Sequence, residues 1–417
     1  MNQVLIVGGG AAGIFAALSA AHQGAKVTLL EKNSRLGVKL LITGKGRCNL
    51  TNIGNIESLI ANFPTNGVFL YSAFYQFSNE DLLELLKGLK VETKIERGGR
   101  VFPVSDKAKD VVNALVNYLK MLKVNIQLNT VVKGLKIENN KIVGVFIDQS
   151  KLVKADAVIV CTGGLSYPRT GSTGDGFNWA KSAGHVVTRL FPSLVPLEVQ
   201  EQWVKDLSGL TLKNVKVTVY QKDEKIAEKF GEMLFTHFGV SGPIILSLSR
   251  WIVPLLSGNK KIKLEIDLKP ALNLEKLDER VKRDFQKYAN RQLKNSLHDL
   301  LPKALILPII KLSNIPIDKQ CNQITKAERL NIVELLKHLP VTIVKPRSFD
   351  EAIVTSGGVN VKEINPSTME SKLIKGLYFA GEVIDIDAYT GGYNLQAAFS
   401  TGYVAGQAAA LQVAHNK

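Results

Sequence analysis

Apolar residues open the chain in a pattern that predicts a strand, a tight turn, a helix and a second strand. Residues 3–7 (QVLIV) form an apolar run, glycines occupy positions 8–10, and an alanine-rich segment extends to Gly24. A second apolar run over residues 26–30 ends on Glu31. Short apolar runs bounded by glycine, with a small-residue helix between them, are typical of a buried βαβ unit. We therefore predict one such unit over residues 3–31.

Helical and strand periodicities alternate through the rest of the N-terminal region. Apolar residues at i, i+3 and i+4 predict amphipathic helices over residues 80–90 and 108–123. Residues 126–160 predict a β-meander, with strands at 127–132, 134–138, 141–147 and 157–160. A glycine-rich loop at 167–176 precedes a predicted helix over 177–183, and small residues predict a closely packed last helix over 394–412.

The pattern changes near residues 192–196, which indicates an inserted domain. Apolar runs typical of strands extend from 197 to 269 and include EMLFTHFGVSGPIILSLS, whereas residues 270–339 are mostly helical. After Pro340 a βα-type pattern returns. We predict an α/β fold with an N-terminal domain part at 1–192, an inserted domain at 193–340 and a C-terminal part at 341–417.

Composition and charge narrow the class of protein. The 417 residues are 45% hydrophobic and carry a net charge of +16, but the lysines are scattered among acidic residues. This distribution favours a solvated surface, and leaves nucleic acid as a secondary hypothesis. Three glycines interrupt the apolar stretch at 4–21, so we predict no membrane span and a cytoplasmic protein. The oligomeric state stays open.

The three cysteines argue against one class of enzyme. Cys48, Cys161 and Cys321 lie far apart, and the sequence has neither a CxxC pair nor the ligand spacing of a metal site. We therefore predict no metal. A disulfide reductase is disfavoured, because such flavoenzymes need two cysteines close together.

The first glycine turn has the spacing of a dinucleotide-binding fingerprint. Gly8 allows the tight turn, Gly10 allows the backbone to approach a pyrophosphate, and Gly13 allows the helix to pack on the sheet. The helix N-terminus offers amide groups to the phosphates. Glu31 stands where a carboxylate accepts the ribose hydroxyls. The sequence thus predicts a bound dinucleotide.

Further glycine-rich segments extend this prediction. Two apolar strands end in Thr162-Gly163 and in Gly381-Glu382, and residues 387–396 form a glycine turn before a helix. The loop at 39–52 combines glycines with polar residues suited to a flavin ring. The loop at 167–176 lacks the fingerprint spacing, so no dedicated NAD(P) domain is predicted. Arg47 is the candidate partner of an anion or of flavin N1, and His237 or Tyr389 is the candidate proton donor.

These motifs together resemble the YhiN/BaiN-like family of NAD(P)/FAD-dependent oxidoreductases. They are VLIVGGGAAGIFAAL, KLLITGKGRCNLTN, GGRVFPVSDKA, SYPRTGSTGDG, LFTHFGVSGP and GLYFAGEVIDIDAYTGGYNLQAAFSTGYVAG. The resemblance covers nearly the whole chain. Lys45 departs from it, because the family pattern leads us to expect glycine there.

The resemblance implies a Rossmann-like FAD-binding domain of the GR2 type, with a β-meander and an inserted β-barrel plus helices that cover the flavin. It implies non-covalent FAD, with the glycine turn and Glu31 on its ADP half. The predicted cofactor-binding residues are Gly8, Gly10, Ala12, Gly13, Glu31, Lys32, Lys39, Thr43, Gly44, Arg47, Asn49, Val132 (through its backbone), Thr162, Gly163, Gly381, Glu382, Gly392, Asn394 and Leu395.

The expected activity is that of an FAD-dependent oxidoreductase. Hydride would pass between flavin N5 and a small or medium organic substrate, and NAD(P)H would act as a transient co-substrate of a C=C reductase. Two alternatives stay open: an amine or aminoketone oxidase that uses O2, and an RNA-linked flavoprotein that binds tRNA.

Overall fold

The computed structural model describes residues 3–148, 151–257 and 260–415. The chain divides into two compact units. Unit 1 comprises the described residues up to Pro192 and those from Ala352 onward, and unit 2 comprises those from Ser193 to Glu351. Within the described residues, no helix is both long and apolar enough to cross a bilayer.

Strands and helices both occur in each unit, and we number each type in chain order. The strands are β1 (Gln3–Val7), β2 (Lys26–Leu30), β3 (Thr51–Asn52), β4 (Thr93–Glu96), β5 (Arg100–Pro103), β6 (Asn125–Gln127), β7 (Val132–Glu138), β8 (Lys141–Ile147), β9 (Lys151–Lys154), β10 (Ala157–Val160), β11 (Phe191–Ser193), β12 (Leu197–Val199), β13 (Thr211–Gln221), β14 (Glu224–Thr236), β15 (Gly239–Ser241), β16 (Ile262–Asp267), β17 (Leu339–Pro346), β18 (Val354–Ser356) and β19 (Leu377–Phe379). The α-helices are α1 (Ala11–His22), α2 (Val38–Ile42), α3 (Ile56–Ile60), α4 (Tyr71–Gln76), α5 (Asn79–Gly88), α6 (Ala108–Met121), α7 (Asp175–Ser182), α8 (Gln202–Asp206), α9 (Pro243–Leu255), α10 (Leu274–Lys287), α11 (Lys303–Leu312), α12 (Lys326–Lys337) and α13 (Tyr393–His415).

The core of unit 1 is a parallel five-stranded sheet in the order β19-β10-β1-β2-β6. Ile6 of β1 lies between Leu29 of β2 and Ile159 of β10, and all three are fully buried. Strands buried on both faces are continuously apolar, which is why these runs lack alternation. The predicted Rossmann-type fold is confirmed. Because the strands are parallel, the loops after β1, β2, β10 and β19 emerge at one edge of the sheet.

Glycines bring helix α13 into direct contact with helix α1. A Cβ atom on Gly402 would collide with the carbonyl oxygen of Ala12, and one on Gly406 would collide with that of Ala16. The spacing of four residues places both glycines on one face of α13. This contact is the close packing that the small residues of the last helix predict.

The β-meander differs from the prediction at its start. Strands β7, β8 and β9 form it, whereas β6 and β10 belong to the main sheet. The predicted strand 127–132 is therefore wrong, since it joins the end of β6 to the start of β7. Asn129 lies between them with a φ of 51°, a left-handed conformation that interrupts any strand.

Unit 2 contains a closed barrel of strands β12-β15-β14-β13-β16-β17, with helices α10, α11 and α12 in the same unit. The predicted β-barrel plus helices is confirmed. One detail is wrong, and one boundary differs from the prediction. Residues 243–255 form helix α9 rather than a strand, because Pro243 suits a first helical turn and Ile245, Leu248 and Ile252 face the core. Strand β17 pairs with β12 and β16, so unit 2 extends to Glu351 rather than to residue 340.

Candidate functional site

The glycine turn after β1 leaves room for a ligand at one position only. Gly8 has a φ of 104° and packs on the carbonyl group of Cys161, whereas a Cβ atom on Gly13 would collide with the carbonyl oxygen of Gly8. Gly10, by contrast, has no neighbouring atom within 4 Å of its Cβ position. It is the N-cap of α1 and provides no side-chain cap, so the first amides of the helix are available to an anion.

Glu31 is fixed at the carboxyl end of β2. The residue is 7% exposed, and its Oε2 atom accepts a hydrogen bond of 2.6 Å from the amide of Gly9. Its Oε1 atom accepts two hydrogen bonds from Asn33, one from the backbone amide (2.8 Å) and one from the side-chain Nδ2 atom (2.7 Å). A carboxylate has about four acceptor positions. Glu31 thus holds the turn in shape and keeps acceptor capacity for ribose hydroxyls.

Lys32 and Asn33 connect this tip to the loop before α7. Lys32 Nζ donates to Thr173 Oγ1 at 2.6 Å and pairs with Asp175 at 2.7 Å, and Asn33 Nδ2 donates to the carbonyl of Thr170 at 3.0 Å. Lys32 was predicted to touch the cofactor, but its charge is matched by Asp175. Asn33 was not among the residues predicted for the site. Its amide side chain, two residues after Glu31, was a signal in the sequence that could have indicated it.

Thr162 supplies a buried hydroxyl at the end of β10. Within the described residues, its Oγ1 atom has no hydrogen-bond partner. Gly163 follows with a φ of 71°, and a Cβ atom on Gly176 would collide with that same Oγ1. A buried unpaired hydroxyl costs about 1–3 kcal/mol. The missing partner and the open space at Gly10 both fit a bound dinucleotide at this edge.

Lys39 and Glu382 form an ion pair beside this edge. Lys39 Nζ lies 2.7 Å from Glu382 Oε2 and donates to Ser166 Oγ at 2.6 Å. Glu382 Oε1 accepts from Ser166 Oγ (2.7 Å) and from the amide of Thr355 (2.8 Å). Burial raises the pKa of Glu382, but Lys39 and these hydrogen bonds outweigh burial and lower the pKa overall. Glu382 is therefore a fixed anion, and Ser166 and Thr355 were missed because they lie far away in sequence.

Arg47 has different partners from those predicted. Its guanidinium binds Glu96 at 2.7 and 3.1 Å and Asp106 at 3.2 Å, and it lies 4.0 Å over the ring of Phe102. Hydrogen bonding to Glu96 raises the pKa of Arg47 further. Two carboxylates already match its charge. Through these contacts Arg47 anchors the loop to strands β4 and β5, and its role as a partner of an anion or of flavin N1 stays a prediction.

The loop that Arg47 anchors has an unusual backbone. Gly44 and Lys45 are both left-handed, with φ values of 57° and 59°. Thr43 Oγ1 donates to the carbonyl of Leu40 at 2.7 Å, within the same segment. Position 45, where the family pattern leads us to expect glycine, thus has a backbone conformation that glycine adopts without strain.

The second glycine turn lies against this loop. Gly392 has a φ of 99° and packs on the carbonyl of Thr51, and its backbone nitrogen lies 3.0 Å from the side-chain amide group of Asn49. Asn394 does not act as a simple helix cap. Its side chain bonds the amide and carbonyl of Ala388, both at 2.9 Å, and the carbonyl of Tyr389 at 3.3 Å. It holds the preceding loop in place.

The remaining predicted residues have ordinary surroundings. The side chain of Ala12 is covered by Gly381, whose φ is 77°, and Leu395 packs on the core of unit 1. Val132 is buried at the start of β7. The cofactor contacts of these residues stay predictions.

The two predicted proton donors also stay predictions. His237 is exposed in the turn between β14 and β15 of unit 2, with its ring 5.0 Å from that of Phe238. Tyr389 is half-buried in unit 1, and its amide donates to Asn62. Among the described residues, no three metal-binding side chains cluster closely enough to hold an ion.

A Rossmann sheet with this turn, a fixed acid on its second strand and a barrel-containing second unit define the class of FAD-dependent oxidoreductases. The HI0933-like protein Rossmann domain matches residues 2–408, so the chain belongs to that family. The resemblance to the YhiN/BaiN-like proteins is thereby confirmed.

Three known proteins illustrate the similarity. The 3-dehydro-bile acid delta(4,6)-reductase of Clostridium scindens is 34% identical, over 98% of this chain and 99% of its own. A ribosomal RNA dihydrouridine synthase of Haemophilus influenzae is 33% identical, over 96% of this chain and 97% of its own. The structure of 3-ketosteroid delta1-dehydrogenase from Sterolibacterium denitrificans aligns over the full length of both chains with a TM-score of 0.52 and 13% identity, which shows the shared fold.

Proposed function

We propose that this enzyme reduces a carbon–carbon double bond conjugated to a carbonyl group, with NAD(P)H as a transient electron donor. The names of the two relatives support this reaction. A 3-dehydro bile acid with delta(4,6) unsaturation has double bonds conjugated to a ketone, and uridine has one conjugated to a ring carbonyl. Both relatives align over nearly their whole length. The net reaction consumes NAD(P)H and one proton and yields NAD(P)+ and the saturated product.

The open position at Gly10 carries the cofactor part of the proposal. The first amides of α1 would bind the diphosphate of FAD, Glu31 would accept the ribose hydroxyls, and Thr162 would gain the partner that it lacks. Bound FAD supplies the hydride chemistry, and the protein supplies binding and orientation. Glu382, held as an anion by Lys39, would orient the cofactor from the end of β19.

A turnover experiment tests the proposed reaction. The FAD-loaded protein is incubated without oxygen with NADPH or NADH and with 4-androstene-3,17-dione, a ketone conjugated to a double bond. We expect a product heavier by two hydrogens and an equal amount of oxidised nicotinamide. If the flavin instead bleaches only with an amine, and air then yields peroxide, the alternative of an amine oxidase replaces this proposal.

RNA is the second candidate for the substrate. The net charge of +16 favours it, since a basic protein attracts a polyanion such as RNA. A neutral steroid gains nothing from this charge. The relative from Haemophilus influenzae supports it by name. The test measures dihydrouridine by mass spectrometry in ribosomal RNA incubated with the enzyme and NAD(P)H. Unchanged RNA, together with reduction of the carbon–carbon double bond of 4-androstene-3,17-dione, would favour a small-molecule substrate.

A further inference from the structure

The helical part of unit 2 contains a stretch that is rich in cations and poor in acids. Over residues 280–311 the acidic residues are Asp284 and Asp299. The basic residues of the same stretch are Arg280, Lys282, Arg283, Lys287, Arg291, Lys294, Lys303 and Lys311. All of this stretch is described by the structure. The excess of cations is much larger here than the scattered charges of the whole chain lead one to expect.

Both acids of this stretch are already paired within it. Asp284 binds Arg280 at 3.0 and 3.1 Å, and Asp299 binds Lys287 at 2.7 Å. The hydroxyl of Tyr288 also donates to Asp299 at 2.7 Å. Hydrogen bonding to Lys287 and Tyr288 lowers the pKa of Asp299 to about 2, so it stays ionised. The other six cations have no ion-pair partner among the described residues.

Four of the basic residues follow one another along the end of α10 and the turn after it. Arg283 precedes Lys287 by one helical turn. Lys287 and Arg291 both lie over the ring of Tyr288, at 4.7 and 4.9 Å. Lys294 lies in the short helical turn that follows. We call Arg283, Lys287, Arg291 and Lys294 the basic ridge.

We propose that the basic ridge binds the phosphate backbone of RNA. The proposal rests on RNA as the substrate, the second candidate above. Asp299 is exposed and pairs with Lys287, but the other three cations of the ridge have no acid paired with them among the described residues. Such an excess of cations attracts a polyanion through release of its counterions. Asn290 and Gln292 alternate with the basic residues in sequence, and side-chain amides of this kind can donate to phosphate or ribose oxygens.

The surroundings of the ridge favour RNA over a membrane surface. A helix that lies on a bilayer places large apolar side chains beside its cations. No large apolar side chain is exposed within residues 280–300, all of which the structure describes. Arg283 and Arg291 offer planar guanidinium groups, which suit phosphate oxygens. The ridge therefore has the chemistry of a phosphate-binding surface and lacks that of a membrane anchor.

Charge reversal on the ridge tests the proposal. The FAD-loaded protein is titrated into a fluorescently labelled, uridine-containing RNA hairpin at several KCl concentrations, and binding is read by anisotropy. The variant carries Arg283→Glu, Arg291→Glu and Lys294→Glu. We expect binding to weaken by at least about tenfold, and the slope of log Kd against log salt to fall by about 2–3, since each lost phosphate contact contributes about 0.7–0.9.

A matched variant controls for net charge. Lys213→Glu, Lys222→Glu and Lys260→Glu change the charge equally at exposed lysines elsewhere in unit 2. We expect this variant to bind RNA like the wild type. Equal weakening by both triple variants would overturn the proposal, because general attraction would then explain the binding. If the ridge variant unfolds, the single variants Arg283→Glu and Lys294→Glu replace it, and an unchanged salt slope in both would overturn the proposal.

Two further outcomes separate this proposal from the proposed function. A wild type that reduces 4-androstene-3,17-dione but binds no RNA at low salt would refute the ridge and leave the reductase activity in place. Binding of the wild type to phosphatidylserine vesicles but not to RNA, lost in the ridge variant, would assign the ridge to a lipid surface and overturn the RNA proposal.

Discussion

Glu31 combines a structural role with a proposed binding role. Its carboxylate holds the amides of Gly9 and Asn33, and these contacts fix it at the tip of β2. The same carboxylate keeps acceptor positions for the ribose of FAD. A single residue thus shapes the turn and recognises the ligand, so the two roles must be separated by experiment.

Substitution Glu31→Gln tests the binding role. The amide retains the shape of the carboxylate but loses its charge, and hydrogen bonds to a charged group contribute about 1.5–3 kcal/mol each. We expect FAD to bind at least about tenfold more weakly, measured by quenching of flavin fluorescence during titration of the apoprotein. Glu57→Gln, in the first turn of α3, is the control and should bind FAD normally. Normal FAD affinity in Glu31→Gln would rule out the ribose contact.

Lys45 departs from the family pattern, and we expect this departure to lower the free energy of unfolding. Its φ of 59° is left-handed, a conformation that costs a residue with a Cβ atom about 1 kcal/mol or more. We expect Lys45→Gly to raise the free energy of unfolding by about 0.5–1 kcal/mol, measured by urea denaturation. Lys120→Gly, within helix α6, is the control and should lower it by about 1 kcal/mol. A loss of stability in Lys45→Gly would show that the lysine side chain makes a compensating contact.

At the scale of elements, helices α1 and α13 depend on the absence of side chains at their contact. Gly402 and Gly406 lie directly against the backbone of α1, near the first turn that would hold the diphosphate. Any Cβ atom at these positions must push the helices apart. The position of the α1 N-terminus is thus fixed by a helix almost four hundred residues further along the chain.

Gly402→Ala tests this packing. We expect the free energy of unfolding to fall by about 1–3 kcal/mol, because added volume in a packed contact forces the backbone to shift. Gly88→Ala in helix α5 is a matched control, since its Cβ position has no neighbour within 4 Å. That control should be neutral or stabilising, as alanine favours the helix more than glycine does. Equal effects in the two variants would show that helix propensity, rather than packing, governs position 402.

Local signals explain which elements the sequence could predict. The unit β1–α1–β2 was predicted correctly because its apolar runs, glycines and terminal acid all lie within thirty residues. Helix α9 was mistaken for a strand because its apolar run continues that of β14 and β15. Strand β9 was missed since its alternation is brief and lies next to β10. Pairing partners, rather than local pattern, decide such short strands.

The site was predictable in its outline and not in its pairings. The glycine turn and Glu31 carry their own spacing signal. The partners of Arg47 and Lys39 could not be predicted, because Glu96 and Glu382 reach them only through the folded chain. Arg47 in particular pairs with Glu96 and Asp106, and no local pattern in the sequence indicates these partners.

At the scale of unit 1, Glu382 connects four distant segments. It contacts Lys39, Ser166 and Thr355 from its own position after β19. Its pKa in the folded protein lies below the ordinary value of 4.5. The ionised form therefore contributes stability above the unfolded pKa, and this contribution is lost as the pH falls through the folded pKa.

The pH dependence of stability tests this connection. We expect Glu382→Gln to be less stable than the wild type at neutral pH and to lose less stability between about pH 5 and pH 3, followed by thermal unfolding. Glu80→Gln, on the exposed surface of helix α5, should follow the wild-type curve. Parallel curves for Glu382→Gln and the wild type would show that Glu382 has the same pKa in the folded and unfolded states.

The proposed function of the whole molecule depends on one feature. FAD would bind at the carboxyl edge of the sheet and reduce a conjugated double bond there. The most direct measurement follows the flavin absorbance of the photoreduced, FAD-loaded protein without oxygen, after addition of either 4-androstene-3,17-dione or uridine-containing RNA. We predict that at least one of them restores the absorbance of oxidised flavin, with one double bond lost per flavin. Flavin that stays reduced with both substrates, and reoxidises only in air, would contradict the proposed function.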